Sequence, residues 1–134
     1  MAKRTALFLI GFVLPFGGCA YQHQAIYNVD RSLPPAAEHM SVDKIRDIVV
    51  AAGTHYEWIM QPVAPGHLEA SERKEKYAAT ADIYFHQTRL TIALKSSANL
   101  NQTATTIHGH YNVWIRNLEN RIVSDISAAG DRPR

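Results

Sequence analysis

His108 and His110 stand two residues apart, just ahead of the strongest helical pattern in the chain, and imidazole serves both acid–base chemistry and metal ligation. On a helix that spacing points the two rings in different directions, so a shared metal would need a loop conformation or distant ligands. No cysteine or carboxylate stands nearby, and neither a metal nor any other cofactor is expected. Ser96 and Ser97, with His108 and Asp82, supply on paper a nucleophile, a base and an orienting acid. No nucleophile-elbow or oxyanion motif accompanies them. The acids are scattered over faces expected to be exposed, so paired-carboxylate hydrolysis is unsupported as well. The chain is not expected to be an enzyme. Asn99, Asn101 and Asn112 surround a strand-to-helix connection, where asparagine commonly satisfies backbone groups. With His108, expected to cap or pack at the helix start, they form the candidate rim for a partner or ligand.

Cys19 is the sole cysteine and cannot form an intramolecular disulfide. Upstream lie Lys3 and Arg4, the apolar run from Ala6 to Leu14, and the small pair Gly17-Gly18. Basic head, apolar middle and small-residue exit define a secretion signal. The run is well short of the roughly 20 residues that span a bilayer, which weighs against an uncleaved anchor. Leu14-Pro15-Phe16-Gly17-Gly18-Cys19 resembles the lipobox of bacterial lipoproteins, with Phe16 in place of the usual leucine and an unusual Pro15 beside it. The alternatives are an ordinary signal cut near Gly18 or Ala20, or an uncleaved anchor. The resemblance implies cleavage before Cys19 and a sulfur carrying diacylglycerol, with palmitate among the acyl chains. One acyl chain holds a protein only marginally, whereas several hold it permanently. Ala20 stands where an aspartate would imply inner-membrane retention, so the implied address is the outer membrane, facing the periplasm.

Cleavage there leaves residues 19–134, enough for one domain and too few for two. Lys plus Arg falls from 14 to 12 with the loss of Lys3 and Arg4, matching the 12 Asp plus Glu. The mature chain has no net charge, so nothing in its charge points to a nucleic-acid partner. The seven histidines are spread along the chain without ligand spacing.

Residues 19–40 read as a lipidated tether, because the adjacent Pro34 and Pro35 favour extended chain; whether residues 25–29 add an edge strand is left open. Ser41 suits an N-cap, and Val42, Ile45, Ile48, Val49 and Ala52 share one helical face, with Gly53 placed to end the helix. Alternation then replaces the helical period. Trp58 and Met60, Leu68 and Ala70, Ala79 to Phe85, and Leu90 to Leu94 predict four strands, turning at Pro65-Gly66, in the charged stretch Glu72 to Lys76, and at His86-Gln87-Thr88. Connections this short join antiparallel neighbours. Finally Thr105 or Thr106 caps a helix whose apolar stripe runs Ile107, Tyr111, Trp114, Ile115, Leu118, Ile122 and Ile126. Its other face carries Asn112, Arg116, Asn117, Glu119, Asn120, Ser124 and Asp125. The expected fold is a two-layer α+β sandwich: a helix, a four-stranded antiparallel meander and a C-terminal helix, with both helices on one sheet face. The domain spans 41–128, and 129–134 form a tail.

Leu94-Lys95-Ser96-Ser97-Ala98-Asn99-Leu100, followed by Ile107-His108 and Tyr111-Asn112-Val113-Trp114-Ile115-Arg116-Asn117-Leu118, resembles a family of small uncharacterised proteobacterial lipoproteins. Trp58, Pro65-Gly66 and Ala81-x-Ile83-x-Phe85 resemble that family's earlier strands. The chain departs from the pattern in a longer connection, Thr54 to Glu57, and in Asn101-Gln102-Thr103-Ala104. The resemblance implies the lipoprotein assignment and the fold without supplying an activity. The expected function is that of an envelope accessory protein, attached to the membrane through acylated Cys19. It would bind an envelope protein or the cell wall through the sheet face, a sheet edge or the Asn-rich connection. The alternative is a small-ligand module with a pocket between helices and sheet, where Ala79 and Ala81 leave space.

Overall fold

A computed structural model describes residues 19–132. The expected signal peptide, residues 1–18, lies outside them. Short helix α1 (Cys19–Gln22) leads to β1 (Gln24–Ala25), β2 (Val29–Ser32), a 3-10 turn (Pro35–His39) and α2 (Val42–His55). Strands β3 (Ile59–Ala64), β4 (His67–Lys74), β5 (Tyr77–Phe85) and β6 (Arg89–Ala98) follow, then β7 (Thr106–Ile107) and α3 (Gly109–Gly130). The four-stranded meander is present as expected, and β2 extends it to five antiparallel strands in the order β2-β6-β5-β4-β3.

Alternation decides which side of the sheet is covered. Leu68 and Ala70 on β4, Ala79, Ala81, Ile83 and Phe85 on β5, and Leu90 and Ile92 on β6 are all buried. Over them lie Ile45, Ile48, Val49 and Ala52 of α2, and Tyr111, Ile115, Leu118, Ile122 and Ile126 of α3. Full burial of each large side chain contributes about 1.5 to 3 kcal/mol. The opposite face is polar and paired: His67 Nε2 lies 2.8 Å from Asp82, Ser71 and Thr80 share a 3.1 Å hydrogen bond, and Lys95 donates to Glu69. The result is the two-layer α+β sandwich with both helices on one face.

Helix boundaries differ from expectation for local reasons. Ser41 caps α2, its Oγ accepting from the Lys44 N–H at 3.1 Å. Gly53 does not end that helix. Trp58 N–H donates to Gly53 O and Glu57 N–H to Thr54 O, both at 3.0 Å, closing a Schellman cap two residues later. Glu57 takes the left-handed conformation this cap demands, φ 68°, where glycine would be usual. Pro35 opens a 3-10 turn instead of continuing extended chain, because a missing N–H is harmless at the first helical position. The tail is shorter than expected, since α3 continues to Gly130.

The largest correction concerns residues 19–40. They do not hang free as a tether: β1 pairs with β7, and β2 pairs with β6 from Val29↔Ile92 to Ser32↔Arg89. Leu33 and Ala37 join the core. Pairing with β1 keeps Thr106 extended, so neither Thr105 nor Thr106 caps the last helix. His108 does so, its Nδ1 accepting from the His110 N–H at 3.2 Å.

A polar clasp on α3 holds this N-terminal segment. Asn112 Oδ1 accepts from Tyr27 N–H at 2.9 Å, while its Nδ2 donates to Ala25 O at 2.9 Å and to Gln24 Oε1 at 3.3 Å. Lower on the helix, Tyr27 Oη donates to Glu119 Oε2 at 2.6 Å and Arg31 meets Glu119 Oε1 at 2.9 Å. That bond favours the protonated phenol and, with burial, raises the Tyr27 pKa. The Arg116 guanidinium lies 3.8 Å over the Tyr27 ring. Asn112 and Glu119, expected on the solvent face, are therefore buried. Asn112→Ala removes the partners of two backbone groups, each worth about 1 kcal/mol or more. Amide exchange at Tyr27 should accelerate by about tenfold or more in that variant, while Ile83 in the central strand keeps its protection. Unchanged exchange at Tyr27 would rule out the clasp as the main restraint.

Candidate functional site

The four rim residues do not share one surface. Asn99, Asn101 and His108 line a hollow of about 250 Å³ together with Gln22, Lys76 and Tyr77, whereas Asn112 is enclosed in the clasp. Asn99 and Asn101 occupy left-handed positions, φ 60° and 50°, which asparagine tolerates better than most residues. Asn99 Nδ2 donates to Lys76 O at 2.7 Å, tying the connection after β6 to the β4–β5 turn. The expected backbone-satisfying role thus holds for Asn99 and Asn112.

The two histidines are closer than their spacing suggests. His108 precedes the helix in extended conformation, so its ring stacks on His110 at 4.5 Å between centroids. Burial lowers the His108 pKa, and the charges of His110, Lys76 and His23 act in the same direction. Tyr77 lies 5.5 Å from His108 and 4.9 Å from His110; Tyr21 meets the same rings edge-on at 5.0 and 5.6 Å. Gly109 makes this possible, since a Cβ there would lie 2.5 Å from the Tyr21 ring. Trp114, expected on the core stripe, turns half outward beside His110 and lines a second hollow of about 370 Å³ with Lys74, Glu75 and Tyr77. Neither Tyr21, in the supposed tether, nor Tyr77, beside a charged turn, shows a periodic signal that could have placed it here.

A larger groove, about 700 Å³, runs between α2 and β3. Val50, Ala51, Met60 and Pro62 form its apolar floor, and Arg46, Asp47, Thr54 and His55 its polar walls. On the other side of β3, Ile59 is 65% exposed; Val63, at the register shift, is 56% exposed and borders a smaller hollow with Val42 and Arg46 of α2. Among the described residues strand β3 bonds only to β4, which leaves its outer edge without a strand partner there. Pro62 lacks an N–H and the register shifts between Pro62 and Ala64, two features that discourage addition of another strand. Ala79 and Ala81, expected to leave space, are both buried in the core; Ala79 also borders a small hollow of about 160 Å³ between β5 and β6, with Thr80, Ser96 and Ser97.

One corner holds polar groups that sequence reading missed. Strand β4 continues through the charged stretch to Lys74, which turns Glu72 inward; it is 4% exposed, and neither carboxylate oxygen accepts a hydrogen bond. Lys74 Nζ stands 3.1 Å from Oε1, near enough for charge attraction but poorly aligned for a hydrogen bond. Trp58 Nε1 and Tyr111 Oη, also buried, lack partners. Burial raises the Glu72 pKa, with Lys74 opposing in part, and burial likewise raises that of Tyr111. The folded chain therefore holds the Glu72 proton more tightly than the unfolded chain. Its favourable contribution is complete below the ordinary carboxyl pKa and is lost as pH rises through the folded value. Glu72→Gln should flatten this dependence and raise stability on the order of 1 kcal/mol at pH 8, measured by urea unfolding at pH 4 and pH 8. An equal pH dependence in both proteins would show that Glu72 is not the source.

Comparison with protein-family models, with curated proteins and with solved structures finds no match to this chain.

Proposed function

We propose that the chain is a bacterial envelope lipoprotein, acylated at Cys19 and facing the periplasm from the outer membrane, which acts as an accessory protein-interaction module. The signal pattern before Cys19, and the resemblance of the Tyr111 to Leu118 motif to small proteobacterial lipoproteins, support the address. The observation that carries the interaction role is the α2–β3 groove, with exposed Ile59 and Val63 on the same edge strand. Solvent-facing branched apolar residues on the edge strand that bounds the groove extend the apolar surface open to a partner's side chains. Pro62 and the register shift disfavour partner-strand addition, so recognition runs through side chains packed across the groove.

Photo-crosslinking residues at Ile59 and at Val63 of the full-length lipoprotein, with exposed Asn120 on α3 as control, test this reading. A discrete adduct from the first two positions, weakened at least about tenfold by Met60→Glu in the groove floor, is expected. No adduct at either position removes the interaction role. Detergent partitioning tests the anchor separately: wild type should enter the detergent phase and Cys19→Ala the aqueous phase. If both stay aqueous, Cys19 is not acylated.

A further inference from the structure

Tyr21 lies two residues from Cys19, and two residues of extended chain reach only about 7 Å. Its ring is fixed against His108 and His110, at the start of α3. An acyl group at Cys19 therefore cannot leave the domain hanging at a distance; it brings the lipid surface to the end of the molecule where Tyr21, Tyr77, His110 and Trp114 cluster. Tyr21 is 41% exposed, and the other three rings are half-buried. Lys76 Nζ stands 5.3 Å over the Tyr77 ring and Lys74 borders the Trp114 hollow, with Glu75 at the turn between them.

We propose that this aromatic end is a membrane-docking face that seats in the headgroup layer of the bilayer holding Cys19. The proposal rests on the lipoprotein reading above. Amphipathic rings with an apolar body and a polar edge favour the boundary between headgroups and acyl chains, where tyrosine and tryptophan concentrate. Lysine stems can lie along apolar surface while their ammonium groups reach lipid phosphates. The covalent attachment selects the occupant: a protein partner at this end would have to displace the lipid headgroups next to Tyr21. Tryptophan occurs only at 58 and 114, and Trp58 is buried in the core, so indole fluorescence reports on this face.

The chain from Cys19 onward contains every described element and can be coupled through its one thiol to a maleimide lipid. The vesicles would be phosphatidylglycerol mixed with phosphatidylcholine brominated high on its acyl chains. The difference between wild type and Trp114→Phe isolates the Trp114 signal. Quenching of that signal by about twofold or more is expected, with Trp58 unaffected, and Tyr21→Ser with Tyr77→Ser should relieve it. Mass measurement of protein purified from cell membranes tests the anchor independently. A free thiol at Cys19 there overturns both the lipoprotein reading and the docking; an acylated Cys19 with an unquenched Trp114 overturns the docking alone.

Discussion

The placement of residues 24–32 depends on a single carboxamide. Asn112 satisfies the N–H of Tyr27 and the C=O of Ala25 from within the long helix, at a part-buried position where an apolar side chain would remove the partner of both groups. With these two bonds made, β1 meets β7, Tyr27 reaches Glu119, and β2 falls into register on β6. Hydrophobic burial supplies the bulk of the stability, but it is non-directional and does not specify where residues 24–28 cross the helix. The carboxamide supplies that specificity because it is both donor and acceptor.

The meander and the two helices were legible because each repeats a period over many residues. Ala79 to Phe85 alternate against β4 and β6, and Ile115 to Ile126 hold one helical stripe, so propensity and burial agree. The N-terminal strands were not legible. Gln24-Ala25 is too short for a period, and Val29-Asp30-Arg31-Ser32 has one apolar residue in four, because an edge strand with its outer side in water needs little apolar surface. Glu119 looked solvated for a related reason: its partners lie some ninety residues away in sequence, where no local pattern can reveal them. Of the candidate rim, the backbone roles of Asn99 and Asn112 were readable from residue type, whereas the aromatic gathering around His108 required knowing that Tyr21 folds back.

Departures from local preference collect where α2 hands over to β3. Glu57 holds a conformation suited to glycine, Trp58 carries an unpaired indole N–H, and Lys74 stands between Glu57 and the buried Glu72 at 3.9 and 3.1 Å. The Glu57 backbone, the unpaired indole and the buried Glu72 carboxylate are each unfavourable by about a kilocalorie per mole or more, and Lys74 offsets part of the last. They persist because the flanking elements are fixed independently: the Schellman bonds set the end of α2, and the β3–β4 register sets the strand. This corner borders both the groove between α2 and β3 and the hollow beside Trp114. Sequences are expected to break local rules at such positions when the neighbourhood serves something other than stability.

Helix α3 also acts as a ruler. Its 22 residues, from Gly109 beside Tyr21 to Gly130 beside Ala36, span roughly 33 Å at the standard rise. That is about the thickness of a bilayer's hydrocarbon core. The described residues begin near one end of this rod, at Tyr21, and end near the other, beyond Gly130. With Cys19 acylated as proposed and the rod upright on the lipid surface, Gly130 would stand about three nanometres from that surface, a reach set by helix length and independent of linker flexibility.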